Sequence, residues 1–405
     1  MPIAKAILVP PNLGASFAGG GGASVAANIA QAMLEANLNV TLLALTGYSN
    51  KTLDDLHGTN LSTYCNRLTS NYIFKRKVGN YGAHRIATAK ATSLTLLAYH
   101  CHLFNRIDAI RPKIIWFNDD VPKICEKKLR DYDSLQYVNF ALHTRLRVCV
   151  DEQWEKYDTK DEPTKKHYRG SPFLTKLLVG ENALGCKKVI ANSSVTCRYI
   201  RMTTDNINPL IIHPPVKIAN FHAIEKKNQV VAVGAFRANK RFGDIIHALK
   251  LSRRKDLQLV IVGLLDDDDY FAYLARLTRE LDLQRQVKLI PNGSSSLLEK
   301  VLSESSAILS AARFEPFGIS IAEGMSFGCV PIAYAGEDSG PWVDIMQRGR
   351  FGHGFRDIRE LSEILGSLPN RVDEGTISAL KNRALTFSNV AFRESIKTFV
   401  LDMLA

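Results

Sequence analysis

The sequence predicts an α/β protein built as two successive, doubly wound, Rossmann-like domains. Three observations lead there. Short apolar runs alternate with amphipathic stretches along the chain, the cycle halts at a Pro-Pro junction and then restarts, and 405 residues are more than one hydrophobic core usually serves.

The first domain opens with the strand Ala6-Ile7-Leu8-Val9, followed by the Gly-rich loop Ala18–Gly22 and an amphipathic helix near Ala23–Ala36. Asn39–Leu45 reads as the next strand, with further strands at Lys113–Phe117, Leu135–Leu142 and Val189–Asn192. A Leu-rich helix falls near Leu94–Phe104. Strands separated by helices, not by tight turns, pair in parallel, because a crossover must carry the chain back.

At Ile211-Ile212-His213-Pro214-Pro215 two prolines follow an apolar run, which neither a helix nor a central strand can continue. The boundary is therefore placed between 214 and 215. The cycle then resumes with strand Val230–Val233, helix Phe242–Leu249, strand Leu257–Gly263, helix Tyr270–Leu281 and strand Val287–Leu289. Helix Leu297–Ser303, strand Ala307–Ser310, helix Ile319–Phe327 and strand Val330–Tyr334 complete the second domain, residues 215–390. A last helix, about 391–405, is expected to pack back on the first domain.

Composition removes several classes of function. Hydrophobic residues make up 46% and charged residues 23%, which excludes a disordered chain, a fibre or a coiled coil. No window approaches the ~18 apolar residues of a membrane span. Ala4–Val9 stops at Pro10-Pro11, too short for a signal-peptide core, so a cytoplasmic protein is expected. The seven cysteines are scattered without a C-x-x-C pair, the pattern of reduced thiols and not of a disulfide framework or a zinc site.

The net charge of +12 is uneven. Residues 1–220 hold 28 Lys and Arg against 17 Asp and Glu, a net of +11, which leaves +1 for the remainder. One domain therefore meets an anionic partner: nucleic acid, a phosphorylated substrate or an acidic membrane surface. Nucleic acid is the weakest of these, since Arg145, Arg147, Lys165-Lys166 and Lys187-Lys188 lack interleaved aromatics on a recognised module. The basic clusters Lys75-Arg76-Lys77, Lys123 with Lys127-Lys128, and Lys165-Lys166 with Arg169 suit reversible docking on anionic lipid, with the Leu94–Phe104 helix inserting alongside.

Two motifs carry chemistry. Ala18-Gly19-Gly20-Gly21-Gly22 lies between the first strand and the first helix, where a backbone without side chains can approach an anion at a helix N-terminus. The second is Phe314-Glu315-Pro316-Phe317-Gly318-Ile319-Ser320-Ile321-Ala322-Glu323. Pro316 suits a first helical position, which places Glu315 in the loop and Glu323 on the helix. A carboxylate there accepts hydrogen bonds from sugar hydroxyls, and the N–H groups near Phe317-Gly318-Ile319 can meet a phosphate or a hydroxyl. Asp266-Asp267-Asp268-Asp269 contains a metal-like Asp-x-Asp spacing, but it precedes a helix and reads better as charge at a helix start.

Glu-x7-Glu with an internal Pro-Phe-Gly and the trailing Gly328-Cys329-Val330-Pro331 resembles the signature of glycosyltransferase family 4, retaining nucleotide-sugar transferases of the GT-B fold. Val231–Arg241 is similar to that family's strand–Gly–basic segment, Val189–Ser194 to its Ala-Asn-Ser strand end, and His213–Val216 to its interdomain Pro-Pro-Val. Residues 18–22 and Asp338-Ser339-Gly340-Pro341-Trp342-Val343-Asp344-Ile345 are similar to segments of the α-1,2-mannosyltransferases that extend dolichol-linked oligosaccharide on the cytosolic face of the endoplasmic reticulum.

The resemblance implies two domains facing each other across a cleft, with the nucleotide-sugar donor on the second and a glycan or lipid-linked glycan acceptor on the first. It places Arg237 and Lys240 on the donor diphosphate, with Arg241 as an alternative, together with the Gly20–Gly21 backbone. Glu323 falls on the ribose, Glu315 and His143 on the transferred sugar, and the base near Ile290–Asn292. Asp119 and Asp120, just past a strand, are acceptor-side candidates. No metal and no cofactor is expected, because protein cations stabilise the leaving diphosphate. The implied activity is hexose transfer with retention, mannose from GDP-mannose. A soluble UDP- or ADP-sugar transferase making a storage glycan or osmolyte is the alternative.

Overall fold

The computed structural model describes residues 3–9, 21–47, 49–75, 93–118, 125, 128–138, 186–203, 207–219 and 226–405. They form two compact units. The first runs to Pro215 and includes Asn389–Ala405; the second holds Val216–Ser388.

The first unit contains β1 (Lys5–Val9), α1 (Gly21–Glu35), β2 (Asn39–Gly47), α2 (Asn50–His57) and β3 (Leu68–Lys75). α3 (Ser93–Ile110), β4 (Ile114–Asn118), β5 (Asp133–Val138), β6 (Lys188–Ala191), α4 (Ser194–Thr203) and β7 (Leu210–Ile211) follow. Every pairing is parallel and the order is β3-β2-β1-β4-β5-β6-β7, so the winding reverses between β1 and β4. β1 and β4 are apolar at successive positions because both faces of a parallel sheet are covered. Ala6, Leu8, Ile114 and Trp116 join one core cluster with α1, while Ile7, Val9, Ile115 and Phe117 join another with Leu103 and Ile107 of α3.

The second unit contains β8 (Lys227–Val233), α5 (Phe242–Ser252), β9 (Gln258–Gly263), α6 (Asp268–Glu280), β10 (Val287–Pro291), α7 (Ser295–Glu304) and β11 (Ser305–Ser310). α8 (Ile319–Ser326), β12 (Val330–Tyr334), β13 (His353–Phe355), α9 (Ile358–Ser367) and α10 (Glu374–Leu385) complete it. Its parallel sheet has the order β10-β9-β8-β11-β12-β13, with the reversal between β8 and β11. The chain ends in α11 (Asn389–Leu404), which sets Phe392, Ile396 and Val400 into the first unit's core, and Phe399 edge-on to Trp116 with ring centroids 6.4 Å apart. Spacing by four puts those three side chains on one helix face. Arg393 on α11 donates to Asn28 Oδ1 of α1 at 3.0 Å.

Several boundaries differ from the sequence reading. α6 starts at Asp268, not Tyr270, because the Asp267 side chain accepts from Asp269 N and Tyr270 N and caps the helix two residues earlier. β5 starts at Asp133 and is described to Val138, ahead of the predicted span. β3, β7 and β13 are strands the hydrophobic pattern did not reveal. Leu103 and Ile107 of α3 are fully buried, so this side of the Leu-rich helix faces the core and not a membrane. Among the described residues, no helix is long and apolar enough to cross a membrane.

Candidate active site

In an open parallel sheet, the ligand crevice lies at the carboxyl ends of the two strands where the winding reverses. In the second unit those strands are β8 and β11. The segment after β8 carries Arg237 and Lys240, and the segment after β11 carries Glu315. Three residues singled out from the sequence thus reach one topological switch point by way of two strands adjacent in space and some seventy residues apart in sequence.

The β8 segment is held from below. Gly234 N donates to Val262 O at 3.1 Å, Phe236 N to Leu264 O at 2.8 Å, and Asp267 N to Phe236 O at 3.1 Å. Phe236 is fully buried and packs edge-on against Phe271 and Phe242, with centroids 5.0 and 5.7 Å away. Gly263 lies so close to the Gly234 carbonyl that a Cβ there would collide with it. The two loops therefore behave as one platform beneath the basic residues.

On it, Lys240 Nζ donates to Glu315 Oε2 at 2.6 Å, with side chains 26% and 20% exposed. Water screens such a pair only in part. Arg237 forms an ion pair through Nε with Asp266 Oδ2, on the loop after β9. Arg241, the alternative phosphate ligand, is engaged elsewhere: it is buried, has φ of 52°, and pairs with Asp244 at 2.7 Å. The Asp run divides its work between pairing with Arg237 and capping α6.

Glu315 is fixed by the chain around residues 338–340. Its N–H donates to Asp338 O at 3.0 Å and its carbonyl accepts from Gly340 N at 2.7 Å. Gly340 backs directly onto the Pro316 carbonyl, where any side chain would collide. The Asp338-Ser339-Gly340 stretch thus serves as the brace of the carboxylate loop.

Pro316 is not the first helical residue. α8 begins at Ile319, because Gly318 adopts φ of 91° and breaks the helical path there. The pyrrolidine of Pro341 also fills the space a Cβ at 318 would need. Phe317 is buried, with its ring 5.3 Å from that of Phe387, so any ligand contact it makes is through its backbone. Ile319 supplies the first N–H of the α8 terminus, one of the groups that lack an intrahelical partner.

Glu323 lies one turn along α8, and burial pushes its carboxyl up to about 7, with the Lys217 ammonium pulling against that rise. Lys217 itself bonds Glu299 Oε1 at 2.9 Å. The structure thus joins Lys240 with Glu315 and Arg237 with Asp266, and couples Glu323 electrostatically to Lys217. Sequence reasoning did not identify Asp266 as Arg237's partner; its signal was its place just past the carboxyl end of the strand beside β8. Asn292, in the segment where the sequence reading expects the base, has φ of 55° and accepts from Leu265 N at 2.9 Å. Gly21 is the first residue of α1 in the other unit. Gly20, His143, Asp119 and Asp120 lie outside the described residues.

Residues 217–342 match a family model described as glycosyl transferases group 1. Among curated proteins, the chain is similar to the GDP-Man:Man(3)GlcNAc(2)-PP-Dol alpha-1,2-mannosyltransferase of Dictyostelium discoideum, 27% identical over 44% of this chain and 39% of that protein. The enzyme of the same name from Homo sapiens is 30% identical over 39% of this chain and 35% of its own length. The chain thus spans less than two fifths of the length of the curated relatives it matches. Sucrose-phosphate synthase from Thermosynechococcus elongatus superposes with a TM-score of 0.63 at 16% identity, covering 99% of each chain. The apo form of the lipopolysaccharide outer core galactosyltransferase WaaB gives 0.62 at 17% identity, covering 98% of this chain and 99% of that one. The chain therefore has the GT-B fold, and residues 217–342 of it match the group 1 glycosyl transferase model.

Proposed function

We propose that this protein is a retaining glycosyltransferase that moves mannose from GDP-mannose to a lipid-linked or other glycan, forming an α-glycosidic bond. The observation that carries the reading is the meeting of Arg237, Lys240 and Glu315 at the β8/β11 switch point of a group 1 domain. Leaving-group departure puts negative charge on a diphosphate, and cations already fixed in place stabilise it at little reorganisation cost. The choice of mannose and GDP is supported by relatives whose names specify GDP-Man as donor and a PP-Dol glycan as acceptor.

In this account Arg237 and Lys240 hold the donor diphosphate. Glu315 passes from its ion pair with Lys240 to the hydroxyls of the transferred sugar, and Glu323 accepts hydrogen bonds from the ribose. The N–H groups at Gly318 and Ile319 meet a phosphoryl oxygen at the start of α8. The acceptor hydroxyl attacks the anomeric carbon as the sugar–phosphate bond breaks, and the departing diphosphate takes the hydroxyl proton. No protein nucleophile and no metal enters the step.

A panel of nucleotide sugars in thermal-shift and turnover assays tests the reading. GDP and GDP-mannose should stabilise the protein and GDP-mannose should be consumed. Stabilisation by UDP or ADP alone would replace mannose transfer with the soluble UDP- or ADP-sugar reading.

A further inference from the structure

The ion pair between Arg237 and Asp266 has a use beyond holding two loops together. It engages Nε of the guanidinium. The two terminal nitrogens, which grip a phosphoryl group as a pair, are not spent on it. Arg237 keeps 43% of its side chain exposed, whereas Asp266 keeps 18%. A recessed carboxylate thus holds the inner edge of a guanidinium whose other edge remains available.

Asp266 is itself held in place. The residue after it, Asp267, donates its N–H to Phe236 O at 3.1 Å and caps α6 with its side chain. Phe236 immediately precedes Arg237, and its own N–H bonds Leu264 O at 2.8 Å. The Phe236 peptide groups are thus bonded to the β9 loop on both sides of Asp266, so Arg237 and Asp266 are brought together by the backbone.

We propose that Asp266 is a positioning residue of the transfer reaction: it fixes the Arg237 guanidinium so that its terminal nitrogens meet the diphosphate of the donor. The inference rests on the donor-site reading above. A free Arg side chain loses rotamer entropy each time it closes on an anion, and a misplacement of about 1 Å in such a group can cost about a hundredfold in rate. An acceptor on Nε removes that freedom before the donor arrives.

The test separates geometry from charge. Asp266→Asn keeps an oxygen that can accept from Nε and removes the negative charge; Asp266→Ala removes both. Turnover and the Michaelis constant for GDP-mannose are measured for each, alone and with Arg237→Ala, alongside melting temperatures. Positioning predicts that Asp266→Ala lowers kcat about tenfold or more. It also predicts that Asp266→Asn stays within about threefold of the parent, and that Asp266→Ala adds nothing once Arg237 is absent. Unchanged kcat in Asp266→Ala would overturn the proposal. So would an equal loss in both variants, or a loss that persists in the Arg237→Ala background. If Arg237→Ala itself leaves turnover unchanged, the donor-site reading fails; if it lowers turnover and Asp266→Ala does not, only the role of Asp266 fails.

Discussion

Lys240 Nζ donates to Glu315 Oε2 at 2.6 Å, so the cation proposed for the diphosphate and the carboxylate proposed for the sugar are bonded to each other. In the proposed reaction a donor would bring a negative diphosphate to the lysine and hydroxyls to the carboxylate, exchanging one partly buried pair for two sets of contacts.

Glu315→Gln should therefore have two effects of opposite sign. Turnover falls, because the contact with the reacting sugar weakens. Affinity for GDP rises, because Lys240 is no longer neutralised. Steady-state kinetics with GDP as product inhibitor measures both; a variant with unchanged turnover and unchanged inhibition constant would show the pair to be structural only.

Removing Lys240 or Arg237 as alanine should cost roughly 3 kcal/mol of transition-state stabilisation, about a hundredfold in kcat/KM. The double variant should lose less than the sum, since both cations serve one leaving group. Small, strictly additive losses would instead describe two solvated surface charges.

Donor binding should depend on pH through Glu323. Its carboxyl is pushed up to about 7 by burial, against an ordinary 4.5, with Lys217 opposing. The ionised form is the better acceptor for ribose hydroxyls, so donor affinity should increase as pH rises through 7. Stability should move the other way: the folded state holds this proton more tightly than the unfolded chain, so the contribution is complete below 4.5 and lost as pH rises through 7. Glu323→Gln should raise KM for the donor with little change in kcat and should flatten both pH dependences. Affinity profiles of the parent and variant that remain parallel between pH 6 and 8 would remove Glu323 from the ribose.

Gly318→Ala should lower both stability and activity. A side chain at φ of 91° is strained and would press on Pro341. The cost expected is about 1–3 kcal/mol, with the N-terminus of α8 displaced from the phosphate. Gly366→Ala provides the control, because its Cβ would meet only the Ser252 carbonyl oxygen at 3.8 Å. Equal melting temperatures for both variants and the parent would contradict this account of the turn.

Docking on a membrane is expected from the charge of the first 220 residues, a net of +11 against +1 for the remainder. The protein should co-float with anionic vesicles at low salt, dissociate at high salt and ignore neutral vesicles. No co-flotation at low salt would leave the charge to a phosphorylated soluble acceptor.

Much of this fold was legible because parallel strands are buried on both faces. Val230–Val233, Leu259–Val262, Ala307–Leu309 and Val330–Tyr334 stand out as apolar runs whatever their neighbours. β3, Leu-Thr-Ser-Asn-Tyr-Ile-Phe-Lys, lies at a sheet edge and does not. Glu315 and Glu323 could be found because both lie in one local motif. The Arg237–Asp266 pair could not, since two strands that pair only in the folded sheet bring the residues together. Nor could the late start of α8, because Pro316 is a good opening residue and only the backbone at Gly318 shows that the helix waits. The clusters singled out for lipid docking lie mostly outside the described residues, with Lys75 on β3 and Lys128 the exceptions.

If the β8/β11 switch point binds a nucleoside diphosphate sugar through Lys240 and its neighbours, calorimetric titration of GDP into the parent and into Lys240→Ala will show it. Saturable binding by the parent, weakened about tenfold or more in the variant while the fold is retained, is the predicted result. Equal binding by both proteins, or none by the parent with GDP, UDP or ADP, would contradict it.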